Sequence, residues 1–325
     1  MRVNFIVEDF SFFKYIGSST AAKMLYRALT AIPDLTLAWN SPDKDFDLVH
    51  FHTFGPFALW YKRWCSGVKV VTTHSTPRLN RENLALSGLI NSFYPRIYRS
   101  FDHIIAISQG SLGEAGEMAP RVPVTFIPNG VDRDTFNCDL GKRTRFREQY
   151  QFGKQDRVAL SVAQQTPRKG IFEFMRVSRF RPEIFWVWVG GFPYGMLSKS
   201  YWKIRAMKRA CGKNVTFTGY VPDITEAYSG ADLFFMPSHA EGMSIVLLEA
   251  LSSGLPCVVR DIPEFREVLG PEGLYFSTTD EAALMVMAED RLRTAAAEAR
   301  ELSARYDISL IAREHYNLYQ ELISA

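Results

Sequence analysis

The stretch "ADLFFMPSHAEGMSIVLLEALSSGLPCVVRD", residues 231–261, contains the unit from which the whole chain is built. A short apolar run (231–238) reads as a buried strand, and a polar turn with a glycine follows it. An apolar run at helical spacing comes next, and "PCVVRD" (256–261) returns as a second strand. A strand, a helix and a second strand of these lengths make a parallel crossover. The stretch also poses a problem. Glu249 stands inside the apolar helical run, where an unpartnered carboxylate carries a heavy desolvation cost.

The pattern extends in both directions. In the first half, strands are expected at 3–7, 47–52, 68–74, 103–108 and 124–129, with a helix over 19–32 behind a Ser/Thr cap. The segment 130–152 is polar and charged and reads as a linker with a short helix. Strands then restart at 157–163, 185–191, 214–220, 231–238 and 256–261. Apolar strands alternating with helices predict parallel sheets covered on both faces. The expectation is an α/β chain of two Rossmann-like, doubly wound domains, 1–138 and 139–308, facing a central cleft, with the final helix (309–325) packing back on the first.

Composition excludes several classes. The 325 residues suffice for two domains, and 47% hydrophobic with 22% charged residues is ordinary for a globular protein. A net charge of +3 is too small to predict a nucleic-acid partner. Cys65, Cys138, Cys211 and Cys257 are scattered, with neither zinc-site spacing nor a disulfide framework, which fits a reducing compartment. The opening "MRVNFIVEDF" runs into a strand without the apolar core of a signal peptide, and no stretch is apolar enough to span a bilayer.

Open α/β sheets bind ligands at the carboxyl ends of their strands. There, "SVAQQTPRKGIFEF" (161–174) turns at Pro167 into a helix near Gly170, so Arg168 and Lys169 stand where a helix N-terminus favours phosphate. The alternative is a solvated basic loop. Neither a Walker pattern nor a GxGxxG follows a strand, which argues against a P-loop ATPase and a dinucleotide-dependent dehydrogenase. Gly242 permits close backbone approach, and amides at Met243 and Ser244 are placed for a second phosphate. If the helix ran through both, Glu241 and Glu249 would lie within about 80° of each other on one face and reach one elongated ligand. Carboxylates suit sugar hydroxyls because each accepts two hydrogen bonds. His50 and His103 read as core residues.

The Glu241–x7–Glu249 pair, the Arg168–Lys169–Gly170 turn, "IPNGVD" (127–132), "HFH" (50–52) and "TTH" (72–74) together resemble retaining glycosyltransferases of family 4, with the GT-B fold. "QQTPRKGIFEF", "WVGGFPYGMLS" and "VVRDIPEF" further resemble the glycolipid-forming branch typified by diglucosyl diacylglycerol synthases. The resemblance implies a hexosyltransferase using a nucleotide sugar such as UDP-glucose, with no cofactor and no metal. It implies that Glu249 holds the donor ribose, Glu241 contacts the donor sugar, and Lys169 with Arg168 neutralises the pyrophosphate. Gly17 would mark the loop near donor phosphate and acceptor, and His74 would lie close to the donor sugar. The chain departs from the family at Gln164, where arginine is common, and Arg168 is expected to supply the missing charge.

The acceptor side is expected in the first domain. Residues 54–70 and 89–101 mix aromatics with cations, including Trp60, Lys62, Arg96 and Arg99. Such stretches suit an anionic membrane surface, or alternatively pack as a helical layer. With the resemblance, the expectation is a lipid or glycolipid acceptor and a cytoplasmic protein held peripherally at the inner face of the cell membrane. The alternatives are a soluble sugar acceptor and, in another class, an inactive sugar-nucleotide-binding subunit.

Overall fold

The computed structural model describes residues 1–8, 17–79, 87–193 and 195–324. The chain forms two compact units, one made of residues 1–130 with 306–325 and the other of Val131–Arg305.

The first unit holds a six-stranded sheet of β1 (Arg2–Ile6), β2 (Thr36–Trp39), β3 (Leu48–Phe51), β4 (Val68–Thr72), β5 (His103–Ala106) and β6 (Val124–Phe126). Their spatial order is β2-β1-β3-β4-β5-β6, and every pair is parallel. Alternate side chains leave a parallel strand on opposite faces, so both faces must be apolar. Val49, Phe51, Val71 and Ile104 accordingly join one core cluster, while Val3, Phe5, Leu48, Val70 and Ile105 join another. The second cluster takes in Leu25 and Leu29 of the helix Gly17–Leu29, and Ile311, Ala312, Leu318 and Tyr319 of the helix Ile308–Ser324.

The second unit repeats the plan with β7 (Val158–Val162), β8 (Phe185–Val189), β9 (Val215–Gly219), β10 (Leu233–Met236), β11 (Cys257–Arg260) and β12 (Leu274–Phe276). The order is β12-β11-β10-β7-β8-β9, again wholly parallel. Here Trp186, Trp188 and Phe235 pack with Phe174 of the helix Ile171–Phe180. The direction of winding reverses between β7 and β10, so the loops leaving these two neighbours diverge and open a crevice at their carboxyl ends.

The division between units falls at Gly130/Val131, not at 138/139. Phe136 is buried with its ring 5.7 Å from that of Tyr228, and its carbonyl accepts the Ser252 hydroxyl at 2.6 Å. Arg133 donates to Ser303 Oγ at 3.2 Å. The polar stretch before the helix Leu140–Gln149 is therefore bound into the second unit rather than serving as a linker.

Candidate functional site

The loops that follow β7 and β10 meet in the second unit. After β7 the chain makes a single 3-10 turn, Pro167–Lys169, and enters its helix through Gly170. Gly170 has φ of +75°, and a Cβ there would stand 2.2 Å from the Pro237 carbonyl oxygen. Only glycine permits that conformation and that approach. The His239 amide donates to the Arg168 carbonyl at 2.8 Å, pinning the two loops together.

This close approach brings Arg168, Lys169 and Glu241 into one cluster. Lys169 Nζ lies 2.6 and 2.8 Å from the two Glu241 carboxylate oxygens. Arg168 Nη1 lies 3.6 Å from the same carboxylate and donates to the Ala240 carbonyl at 2.5 Å. Glu241 is only 6% exposed. Burial alone would raise its pKa, but the charges of Lys169 and Arg168 and the lysine hydrogen bond hold it below the ordinary value. Burial likewise lowers Lys169, with Glu241 opposing the shift. The result is a partly desolvated ion pair with a second cation, Arg168, beside it, a setting suited to an anionic ligand. Glu173, in the first turn of the helix Ile171–Phe180, braces the loop by meeting His239 Nε2 at 3.1 Å and Arg260 Nη2 at 3.7 Å. The sequence reading missed this brace, although an acid in a helix's first turn was a visible signal.

The helix after β10 begins at Ile245, with Ser244 as its N-cap accepting from the Leu247 amide. Glu241 therefore lies in the loop, and the argument that Glu241 and Glu249 share a helical face does not hold. Gly242 and Met243 bend the chain before the cap. Glu249 does lie on this helix, 5% exposed, and its partner is Tyr228, whose hydroxyl donates to Oε2 at 2.7 Å. Burial pushes the Glu249 carboxyl up to about 7, and the tyrosine hydrogen bond pulls back part of that shift. Tyr228 answers the question the carboxylate raised, and periodicity gave no sign of it because the contact joins two helices.

Gln164 is half-buried after β7. Its neighbour Gln165 is the locked residue, donating to the Gly190 carbonyl at 2.7 Å and accepting from Lys208 at 3.1 Å.

In the first unit, Gly17 opens the helix Gly17–Leu29, and the loop before it lies outside the described residues. His74 follows β4, half-buried, with its Nε2 3.0 Å from His52 Nδ1. Burial, aided by the charge of His315, lowers His74 to about 4, so its ring is neutral near pH 7. Both nitrogens of His50 are satisfied, by Tyr319 Oη and Thr72 Oγ1, each at 2.6 Å, as suits a core residue. His103 is buried too, with Nε2 2.9 Å from Thr125.

The aromatic–basic stretches divide by face. Tyr61, Tyr94 and Tyr98 are core, whereas Trp60, Trp64 and Phe93 are more than half exposed. Arg63 and Arg96 are exposed. Lys62 instead lies 4.8 Å over the Phe101 ring; Arg99 is also exposed, with its Nε donating to the Met118 carbonyl at 2.8 Å. No described helix is long and apolar enough to cross a membrane.

The fold of two wholly parallel, doubly wound units is that of the GT-B glycosyltransferases. The structure matches Anabaena HepE solved with UDP-glucose, with a TM-score of 0.82 at 17% identity, over 99% of this chain and 100% of that one. It matches sucrose-phosphate synthase from Thermosynechococcus elongatus equally well, with a TM-score of 0.82 at 16% identity over 100% and 99%. In sequence, residues 142–289 match the glycosyl transferases group 1 family and residues 15–135 match Glycosyltransferase Family 4. The processive diacylglycerol alpha-glucosyltransferase of Acholeplasma laidlawii is 30% identical over 78% of this chain and 78% of its own length. The alpha-galactosylglucosyldiacylglycerol synthase of Streptococcus pneumoniae is 29% identical over 81% and 72%. The chain belongs to the group 1, family 4-like glycosyltransferases, and both expectations, the GT-B fold and the likeness to the glycolipid branch, are borne out.

Proposed function

We propose that this glycosyltransferase moves a hexose from a UDP-sugar to a membrane glycolipid or other lipid-linked acceptor, with retention of configuration and without a metal ion. The observation that carries the reading is the Arg168–Lys169–Glu241 cluster at the β7/β10 switch point, which sets two cations and a carboxylate in one crevice. As the bond between the sugar's C1 and the diphosphate breaks, negative charge grows on the departing phosphate. Lys169 and Arg168 are already fixed to meet it, so stabilising it needs no reorganisation. Glu241 accepts hydrogen bonds from the donor sugar's hydroxyls, and Glu249 accepts those of the ribose. Gly242, Met243 and Ser244 bring the backbone close to the phosphates. The acceptor oxygen attacks C1 on the face the phosphate leaves, and the acceptor's proton passes to the phosphate oxygen. A separate protein base is then unnecessary, and neutral His74 serves as a hydrogen-bonding group to the sugar. The substrates named for the pneumococcal and Acholeplasma relatives support the lipid acceptor.

The test is a mass-spectrometric product screen of several nucleotide sugars against total membrane lipid extract, with and without EDTA. Glycosylated diacylglycerols formed at undiminished rate in EDTA are expected. Rescue by Mg²⁺ after loss in EDTA overturns the metal-free mechanism, and an inert protein that neither transfers nor hydrolyses donor becomes a binding subunit.

The first unit supplies the membrane attachment in this reading, through Trp60, Trp64, Phe93, Arg63 and Arg96. Lys62 serves mainly within the unit because its ammonium lies over the Phe101 ring, whereas Arg99 stays exposed and adds to the patch. Each cation near an anionic surface contributes about 1 kcal/mol, so Arg63→Glu with Arg96→Glu lowers affinity for phosphatidylglycerol vesicles at least about thirtyfold. Vesicle flotation measures this, and binding of the parent falls as salt rises. A parent that fails to float at low salt makes a soluble acceptor the better reading.

A further inference from the structure

The second unit carries a patch that the transfer chemistry does not use. From Ile184 to Pro222 the chain has no aspartate or glutamate, yet it holds six cations: Lys199, Lys203, Arg205, Lys208, Arg209 and Lys213. In the middle of this stretch lie a 3-10 turn, Gly195–Leu197, and the helix Tyr201–Arg209. The helix buries Ile204 against the core, which fixes its other face outward. On that outward face Trp202 is 67% exposed, and in the preceding turn Met196 and Leu197 are 67% and 91% exposed. Lys199, Lys203, Arg205 and Arg209 are exposed beside them. Lys208 turns inward, to Gln165 and the Phe217 ring, while Lys203 Nζ lies 4.9 Å over the Phe172 ring and Arg205 donates to the Tyr201 hydroxyl at 3.1 Å.

Single exposed apolar side chains are ordinary, but a leucine, a methionine and a tryptophan bared within a stretch that carries six cations and no acid are not. The charge calls for an anionic partner. The apolar side chains select among such partners. A nucleic acid would be met by stacking rings, and a bare leucine and methionine gain nothing there. At a lipid headgroup layer the aliphatic tips enter the acyl boundary, the indole sits at the interface, and the long cationic stems reach the phosphates. We infer that residues 195–213 form a second lipid-docking patch, on the second unit, which inserts Met196, Leu197 and Trp202 into an anionic bilayer surface. It is separate from the aromatic–basic patch of the first unit and does not rest on the transfer reading.

Hydrogen-exchange mass spectrometry of the full chain, with vesicles of phosphatidylglycerol or of phosphatidylcholine, tests it. Peptides within 195–213 should exchange several-fold more slowly on phosphatidylglycerol only, and the protection should fade with salt. Leu197→Ser with Trp202→Ser should abolish that protection and weaken flotation about tenfold, the loss expected of two partly inserted side chains. Peptides of the first unit should keep their protection in this variant, and its melting temperature should hold because both side chains are exposed. If the protein floats with exchange over 195–213 unchanged, the patch does not dock and the inference is overturned. Protection that appears without lipid as protein concentration rises overturns it too, and makes the patch a face for a second copy. A failed product screen would leave these exchange results standing, so the two readings fail separately.

Discussion

Lys169→Ala lowers donor turnover by about two to three orders of magnitude, the loss typical of removing one preorganised charge from a transition state. It also destabilises the second unit by about 3–5 kcal/mol, because it leaves a buried carboxylate with its nearest cation gone. Lys169 holds both oxygens of Glu241, while Arg168 stands 3.6 Å away and already serves the Ala240 carbonyl. The remaining guanidinium cannot replace both contacts. A double variant, Lys169→Ala with Glu241→Gln, removes the stranded charge as well. It should regain much of the lost melting temperature and none of the turnover. Thermal unfolding and a donor-hydrolysis assay, run on all three proteins, separate the two effects. Turnover that recovers along with stability would show that Lys169 only holds the loop.

Glu249→Ala weakens binding of a nucleoside diphosphate by about 1.5–3 kcal/mol, roughly ten- to a hundredfold, and leaves turnover at saturating donor nearly unchanged. A contact to ribose, as proposed for Glu249, would be made in the ground state and the transition state alike, so its loss would appear in affinity. Folding should suffer less, since the Tyr228 hydroxyl keeps the Val246 carbonyl as an acceptor at 3.2 Å. The titration adds a signature. The folded carboxyl, raised to about 7, lies above the ordinary value of 4.5, so the fold binds extra protons between those values. The stability contribution of Glu249 is therefore full below about 4.5 and lost as pH rises through about 7. Nucleotide affinity runs the other way, rising through the same range as the ionised carboxylate becomes available to both ribose hydroxyls. Glu249→Gln should flatten that rise. Isothermal titration with UDP at several pH values measures it, and an unchanged affinity in the alanine variant sinks the ribose assignment.

Most of the fold could be read from apolar runs because most strands are buried on both faces. The sequence marked β1, β3 to β5 and β7 to β11 within two residues at each end, and β6 with its end three residues too far. It missed β2 and β12, each one of the two outer strands of its sheet, while the other two, β6 and β9, were marked. An outer strand has one neighbour and needs less cover, and β2 and β12 are also short. Thr36–Trp39 has no fully buried residue, and Leu274–Phe276 is three residues long. The site divides in the same way. Arg168, Lys169 and Glu241 were singled out because charges between a strand and a helix stand out in sequence, and the structure brings them together. Tyr228, Glu173 and Gln165 act through contacts between elements far apart in the chain, and only Glu173, an acid in a helix's first turn, had a local signal. The angular relation assumed for Glu241 and Glu249 failed for a local reason: Ser244 caps the helix and begins it three residues after Glu241.

The return of the helix Ile308–Ser324 to the first unit has a consequence for synthesis on the ribosome. Residues 131–305 form one uninterrupted segment and can close their own core as soon as they emerge. The first unit begins to appear earlier but finishes later. Until residues 306–324 follow, Val3, Phe5, Leu25 and Val70 lack the cover of Ile311, Leu318 and Tyr319, and His50 lacks the tyrosine hydroxyl that satisfies its ring. The nascent chain therefore carries an open apolar sheet face through the whole translation of its second half. A chain released at residue 305 would carry a complete second unit tethered to an unfinished, aggregation-prone first one.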